Sequence, residues 1–370
     1  MFKIIHQNKN KTRIGELHLN HGIVKTPTFM PVGTNGTMKA VSNNFIEELR
    51  VNLILSNAYH LYLRPGMEII KNAGGLHRFM NWSHNILTDS GGFQIFSLAP
   101  FRKIKDEGVR FRSHIDGAYH FLTPSDVIEI QTTIGSDIMM PLDVCTPFGI
   151  SEKEALKALE ITTAWARESR KKWQEGEVNR FLFGIIQGNF FPHLRKQSAE
   201  QLIDLDLPGY AIGGLSVGEG FEVFSDMLSL TRQYIPYDKP LYVMGIGTPQ
   251  FILKAVELGV DMFDCVFPTR IARNALAFTH SGNLNLRLEK NKFDNGPIDA
   301  ACSCYTCQNY SRSYLRHLFK AKEINGAVLT TQHNLFFIEQ LMNSIRKSIE
   351  EDKFNIFMTN FLNQYSSGVA

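Results

Sequence analysis

Residues 241–267 read LYVMGIGTPQFILKAVELGVDMFDCVF. Two apolar runs of strand length, LYVMGIG and DMFDCVF, flank an amphipathic segment in which Thr248 can cap a helix and Pro249 takes its first position. Continuously apolar strands joined through a helix belong to a parallel sheet covered on both faces. The same unit recurs upstream. FMPVGT, NLILSN, ILTDS, DIMMPLD, FLFGIIQG and YAIGGL are further strand candidates, with helical patterns such as TPSDVIEIQTTIG and SEKEALKALEITTAWARESRKKW between them. Eight strands in this alternation predict an α/β fold, a (β/α)₈ TIM barrel. Periodicity alone leaves an open doubly wound sheet as the alternative. The polar residues favour the barrel. Asp89, Asp143, Gln187, the Gly213-Gly214 pair, Gly245 and Asp264 all fall at the C-terminal ends of these runs. A barrel gathers those ends around one mouth, where active sites of the fold lie.

The chain has 370 residues, 44% of them apolar and 20% charged, an ordinary globular composition with a sizeable core. Its net charge of +3 requires any nucleic acid to be met by a local basic patch rather than a globally cationic surface. No apolar run approaches the ~20 residues that span a bilayer, and the N-terminus lacks the apolar centre of a signal peptide. A cytoplasmic protein with no membrane contact is the expectation. The chain reads as a single barrel domain, 1–370, with an N-terminal strand region at 1–28. The segment 99–122 breaks the alternation and reads as an inserted hairpin turning at Asp116-Gly117. A second interruption, 277–345, carries the motif CSCYTC and is predicted to be an inserted zinc-binding subdomain.

Cys302, Cys304 and Cys307 place three soft ligands on one loop, and a tetrahedral zinc needs a fourth. His333, read as standing at a helix start, is preferred to His317, which shares a stripe with Tyr310 and Tyr314. Such a set leaves no open coordination position, so one structural Zn²⁺ per subunit is expected.

Asp89 and Asp264 would suit exchange at an anomeric carbon, one carboxylate attacking the sugar and the other handling the leaving group's proton. Around Asp89, the stretch Ser90, Gly91, Gly92 and Phe93 offers close backbone approach and a flat apolar face. Asp143, Gln187 and the backbone at Gly214 and Leu215 can match the donors and acceptors of a purine edge, with Met244 as an apolar surface opposite Phe93. Taken singly, Asp143 and Gln187 could equally be structural. Arg270 and Arg273, just past Asp264, suit phosphates beside the reacting sugar. Asp261, at the start of the same strand, reads as structural.

These stretches together resemble one family, the tRNA-guanine transglycosylases of the queuosine pathway. The resemblance runs from TPTFMPVGTNGTMKA through NAYHLYLRPG, TDSGGFQIFSL, FRSHIDG, IQGN and GGLSVGEG to MGIGTP, DMFDCVFPTR and CSCYTC. It implies a zinc-containing (β/α)₈ barrel that acts on the wobble guanosine of tRNAs with a GUN anticodon. Asp264 is implied as the nucleophile that forms a covalent tRNA intermediate, and Asp89 as the general acid/base. Asp143, Gln187 and Gly214 would read the base beside the Phe93 pocket. The resemblance further implies that Gly245, Ile246, Gly247, Thr248, Pro249, Gln250 and Phe251, with Thr269, Arg270, Ile271, Ala272 and Arg273, hold the anticodon loop. Cys302, Cys304, Cys307 and His333 are the implied zinc ligands, and a homodimer using the Tyr310/Tyr314/His317 stripe is the implied assembly. Val144 and Ser216 depart from the common bacterial pattern, whereas Cys145 and Val217 follow it. The expected incoming base is therefore 7-aminomethyl-7-deazaguanine, with queuine as the alternative. A catalytically silent tRNA-binding partner subunit is the competing reading, against which stands the presence of both Asp89 and Asp264. A glycoside hydrolase would use two carboxylates but leaves the arginine pair unexplained.

Overall fold

The computed structural model describes residues 1–9, 11–98, 101–176 and 179–366. Eight parallel strands form its centre. They are β1 (Thr28–Met30), β2 (Leu53–Asn57), β3 (Asn85–Asp89), β4 (Ile138–Met139), β5 (Phe181–Ile186), β6 (Gly209–Ile212), β7 (Leu241–Val243) and β8 (Met262–Asp264). Each coincides with one of the eight apolar runs. The hydrogen-bonded order runs β1-β8-β7-β6-β5-β4-β3-β2. A parallel bridge between Val32 and Leu55 then joins β1 to β2. Gly33 N–H donates to the Leu55 carbonyl at 2.7 Å, and Leu55 N–H to the Pro31 carbonyl at 3.0 Å. An open sheet would leave β1 and β2 as unpaired edges, so this seam decides for the barrel.

Two strands are shorter than their apolar runs for a local reason. Proline has no N–H to give a ladder, and Pro31 and Pro141 interrupt FMPVGT and DIMMPLD. Met140 N–H turns instead to the side chain of Gln131, at 2.9 Å.

Side-chain alternation sorts each strand into two faces. Met30, Leu53, Leu55, Leu87, Phe183, Ile185, Tyr242 and Met262 pack inside the ring. Phe29, Leu182, Ile186, Val243 and Phe263 face the surrounding helices. Leu17 and Val24, from the antiparallel sheet of Phe2–Gln7, Arg13–Leu19 and Gly22–Thr26, join the interior set and plug the lower end. The helix Pro124–Ile134 starts at a Thr123/Asp126 capping box and stops at Gly135, whose φ of +88° suits a residue without Cβ. Glu152–Gln174 starts at a Ser151/Glu154 box. Pro249 opens Pro249–Glu257 as expected, but Thr248 makes no side-chain cap.

The insertion near residue 99 is a three-stranded meander rather than a hairpin: Arg102–Lys105, Gly108–Arg112 and Tyr119–Leu122. Residues 99 and 100 lie outside the described part. Asp116-Gly117 belongs to its second turn, with Gly117 at φ +76°. The first strand, RKIK, is wholly exposed and so carries no buried-face alternation to betray it. Downstream of β8 come a hairpin (Leu276–Thr279 and Gly282–Asn285), the helices Tyr305–Asn309 and Arg312–Ala321, and the long helix Ile324–Glu350. That last helix sends Phe337, Ile338, Leu341, Met342 and Ile345 into the barrel's outer core. Residue 345 therefore falls within it. Among the described residues no helix is long and apolar enough to cross a membrane.

Candidate active site and metal centre

Strand alternation turns Asp264 inward, two positions beyond Met262, at the upper end of β8. Tyr242, inward on neighbouring β7, donates its hydroxyl to Asp264 Oδ1. Gly245 N–H donates to the same oxygen at 2.9 Å. Among the described residues Oδ2 has no bonded partner. Burial raises the pKa of this carboxyl, and the two donors only partly oppose it. The Tyr242 hydroxyl is pushed well above its ordinary range by burial and then by Asp264, which keeps it a proton-bearing donor.

Asp89 ends β3 and is almost fully buried. Asn57 donates its amide to one oxygen, and Ala58 N–H donates to the other at 2.9 Å. Burial lifts its pKa to about 6, against hydrogen bonds from Asn57, Ala58 and Gln94, with the nearby Asp264 charge adding to the rise. Neither carboxylate has an ion-pair partner among the described residues. A buried acid, Asp89, and a half-buried one, Asp264, thus share one mouth with neutral donors only.

Beside them, Asp143 accepts from the Ser90 hydroxyl at 3.1 Å and from the Gln187 amide at 2.8 Å. Burial raises its pKa as well. Gln187 Oε1 is buried without a partner. Gly92 leaves no room for a side chain, since a Cβ there would lie 2.5 Å from Asp143 Oδ1. Gly214, at φ +65°, would set a Cβ 2.6 Å from Gln187 Oε1. Gly91 adopts φ +81° against Tyr59. Leu215 is buried, Met244 half-buried, and Phe93 stands 52% exposed at the start of the helix Gly92–Leu98. The structure brings this whole predicted set to the strand ends.

The two segments assigned to RNA divide by exposure. Ile246, Gly247, Pro249, Thr269, Ile271 and Ala272 are buried, so they shape the segments from within instead of presenting side chains to a ligand. Phe251 packs against Phe224 and Phe221, with ring centroids at 4.8 and 5.2 Å. Gly245, Gln250 and Arg270 are exposed, and Thr248 and Arg273 half-exposed. Arg273 anchors to the Thr269 carbonyl at 2.8 Å. A helix period explains the split: Phe267–Arg273 forms a helix with Arg270 and Arg273 on its outer side.

Cys302, Cys304 and Cys307 converge on His333. Their sulfurs lie 3.7, 3.4 and 3.3 Å from its Nδ1. Ligands at about 2.3 Å (sulfur) and 2.0 Å (nitrogen) from a tetrahedral ion would stand roughly 3.6 Å apart. The set fits a four-coordinate metal. His333 Nε2 faces the Phe278 carbonyl at 2.6 Å, which fixes the tautomer that leaves Nδ1 free to ligate. His333 is not at a helix start; it lies inside Ile324–Glu350 and is fully buried. His317 stays with Tyr314, ring centroids 6.4 Å apart, away from the cysteines.

The sequence model of the family described as queuine tRNA-ribosyltransferase matches residues 8–367. Chain-long relatives carry the same description. The queuine tRNA-ribosyltransferase of Caldanaerobacter subterraneus subsp. tengcongensis is 52% identical over 357 residues, 96% of this chain and 95% of its own. That of Desulforapulum autotrophicum is 52% identical over 362 residues, covering 97% and 98%. That of Treponema denticola is 49% identical over 370 residues, covering 99% and 98%. The chain belongs to the queuine tRNA-ribosyltransferase family.

Within this queuine tRNA-ribosyltransferase fold, several residues of the mouth escape sequence reasoning. Asn57 ends NLILSN, and the strand-end rule that singles out Asp89 would have found it too. Tyr242 sits inside an apolar strand, where an aromatic reads as core; only the inward register beside Asp264 gives it away. Arg195 is fully buried and bonds to the carbonyls of Ile186, Asn189, Gly213 and Gly214, at 3.1, 2.7, 2.7 and 3.2 Å. It fixes the loop that presents Gly214. Glu219 accepts from the N–H groups of Ser216 and Val217 and holds the same loop from its other side.

Proposed function

We propose that the chain exchanges guanine at the wobble position of GUN-anticodon tRNAs for a 7-deazaguanine base through a covalent ribosyl-aspartate intermediate. The observation that carries this reading is the pair of inward carboxylates at one barrel mouth, Asp89 buried and Asp264 half-buried, each held by neutral donors. Asp264 is the nucleophile. Its unbonded Oδ2 attacks C1′ while the Tyr242 and Gly245 donors hold Oδ1. As the glycosidic bond breaks, its electron pair leaves with guanine, and Asp89 gives the departing base a proton. Asp89 then takes a proton from the incoming base, whose nitrogen attacks C1′ and releases Asp264. A group with a pKa of about 6 suits both halves of that exchange near neutral pH.

Asp143, Gln187, Ser90, Gly214 and Leu215 are the base-reading groups. The partnerless Gln187 Oε1 supports this role, because a buried acceptor calls for a donor from the ligand. Phe93 and Met244 supply apolar faces to the ring. For the incoming base, 7-aminomethyl-7-deazaguanine is the choice, supported by Cys145, buried beside Asp143 with its thiol pushed up to about 12 and so uncharged. Exposed Arg270 and half-exposed Arg273, with Gly245, Thr248 and Gln250, face the anticodon loop. Zinc is the metal of Cys302, Cys304, Cys307 and His333, in a subdomain read as 277–345. It holds structure there, since no ligand position is left open. The protein works in the cytoplasm as a homodimer.

The test is to incubate the protein with GUN-anticodon tRNA and labelled guanine. Label enters the tRNA with the wild type, and the covalent adduct survives a denaturing gel; with Asp264→Asn both are lost. Unimpaired incorporation by that variant would overturn the nucleophile. Competing the two 7-deazaguanine bases decides the substrate, and a strong preference for queuine would reverse the choice. Cys304→Ser is expected to release the metal and lower the melting temperature; full metal content would count against the cysteine site.

A further inference from the structure

At the opposite end of the barrel, His21, His77 and Asp137 form a second cluster whose ligand atoms all lie within 4.8 Å of one another. They come from three separate elements. His21 occupies the turn of the N-terminal sheet between Arg13–Leu19 and Gly22–Thr26, His77 the helix Leu76–Met80, and Asp137 the residue before β4. The arrangement is braced. Asn85, at the start of β3, accepts from His21 N–H at 3.0 Å and donates to the Gly22 carbonyl at 3.1 Å, fixing the turn. Asp137 is fully buried and accepts from Ile86 N–H at 2.8 Å. His21 Nδ1 lies 2.7 Å from Asp137 Oδ1, and the two imidazoles stack with centroids 3.8 Å apart.

One atom is left over. His77 Nε2 is buried, stands 3.5 Å from Asp137 Oδ2, and has no hydrogen-bond partner. A buried nitrogen of this kind is seldom left unmatched. Two imidazoles and a carboxylate are the ligand chemistry of Zn²⁺, Co²⁺ and Ni²⁺. Around such an ion, at about 2.0–2.2 Å from each ligand, neighbouring ligand atoms stand roughly 3.4 Å apart. His77 and Asp137 already stand 3.5 Å apart, near that spacing. The exposed His21 has to turn out of its stack with His77 to aim a nitrogen at the ion, and its place on the surface leaves room for that and for an approach from solvent.

We propose that His21, His77 and Asp137 bind a divalent transition-metal ion, with water completing its shell. The ion clips the N-terminal sheet to the floor of the barrel. It is distinct from the metal of the cysteine cluster, shares no ligand with it, and lies at the end of the strands away from Asp89 and Asp264.

The experiment titrates Co²⁺ into the full chain whose cysteine site already carries its metal. The wild type is expected to take up one further equivalent, with ligand-field absorption but no thiolate charge-transfer band, and to melt at a higher temperature. His21→Gln and His77→Gln should each lose that equivalent and the thermal shift while keeping the cysteine-bound metal. His21 stands on an exposed turn, so its variant folds and keeps the test decisive. Absence of a second equivalent in the wild type, or its retention in both variants, would overturn the proposal and leave a hydrogen-bonded His–Asp–His bridge. A thiolate band from the added ion would overturn it equally, placing that ion at the cysteines.

Discussion

Asp261, just before β8, and Asp264, at its upper end, stand three residues apart, and they live in opposite electrostatic worlds. At the floor, Asp261 is fully buried against the guanidinium of Arg13, whose Nε and Nη2 reach its two oxygens at 3.0 and 2.5 Å. Leu241 N–H adds a bond at 2.8 Å. Its charge is matched and its lone pairs are occupied. At the mouth, Asp264 has Tyr242 and Gly245 on one oxygen and, among the described residues, no cation on either. Burial without neutralisation keeps a carboxylate poorly solvated and reactive; burial with a guanidinium makes it a rivet. The barrel thus divides its acids, with an ion-paired carboxylate at the lower end and, on the proposed function, the reacting ones at the upper.

Substitution can break that contrast. The largest effect belongs to Asp264→Asn, expected to lower base exchange by about 10⁴-fold or more, the scale of losing a nucleophile. Its melting temperature should hold or rise, because a neutral amide relieves the cost of a buried acid. A large drop in stability with the exchange rate retained would put Asp264 with the rivets. Asp261→Asn should behave in the opposite way. It strands Arg13 in the interior and is expected to cost about 3–5 kcal/mol of unfolding free energy, read by denaturant titration. Folded protein that survives should retain its turnover.

The smallest effect is a slope against pH. Unfolded, Asp89 ionises near 3.8; folded, at about 6. Between those values the native state holds the extra proton, so stability falls as pH rises through the window and levels above it. The total is about 3 kcal/mol. Asp89→Asn should flatten that fall in unfolding curves measured from pH 4 to pH 7. A slope unchanged in the variant would assign it to other carboxyls, Asp143 and Asp264 among them.

How legible these features were depended on the length scale of their cause. The eight strands were readable because a sheet buried on both faces leaves continuous apolar runs, and strand-end polarity located Asp89, Asp143, Gln187 and Asp264. The separation of Asp261 from Asp264 followed from the two-residue period of a strand. Ring closure was readable only indirectly, from polar residues gathered at the strand ends; the Val32–Leu55 bridge itself joins strands by geometry that leaves no compositional trace. Tyr242 and Arg195 were hidden for a related reason: one is an aromatic in a strand and the other a cation in a helix, and only tertiary register reveals what they touch. His333 was chosen correctly over His317 as the residue facing the cysteines but placed at the wrong point of its helix. Its ligand role depends on where the cysteine loop comes to rest, not on helix ends. Thr248 had the right residue type for a cap and lacked the side-chain bond.

His333 is followed by Asn334, and that adjacency has a mechanical meaning. Asn334 donates to the carbonyls of Pro268 and Leu276, at 2.9 and 3.1 Å, and accepts from Phe278 N–H at 2.9 Å. One residue of the long helix therefore faces the cysteine loop, and the next splints the root of the segment bearing Arg270 and Arg273. On the proposed function, an ion held by the cysteines would be the far abutment of a short lever whose near end is the arginine pair. Loosening the abutment would let the lever swing, so the proposed grip on the anticodon loop and the integrity of the cysteine cluster would be mechanically one property.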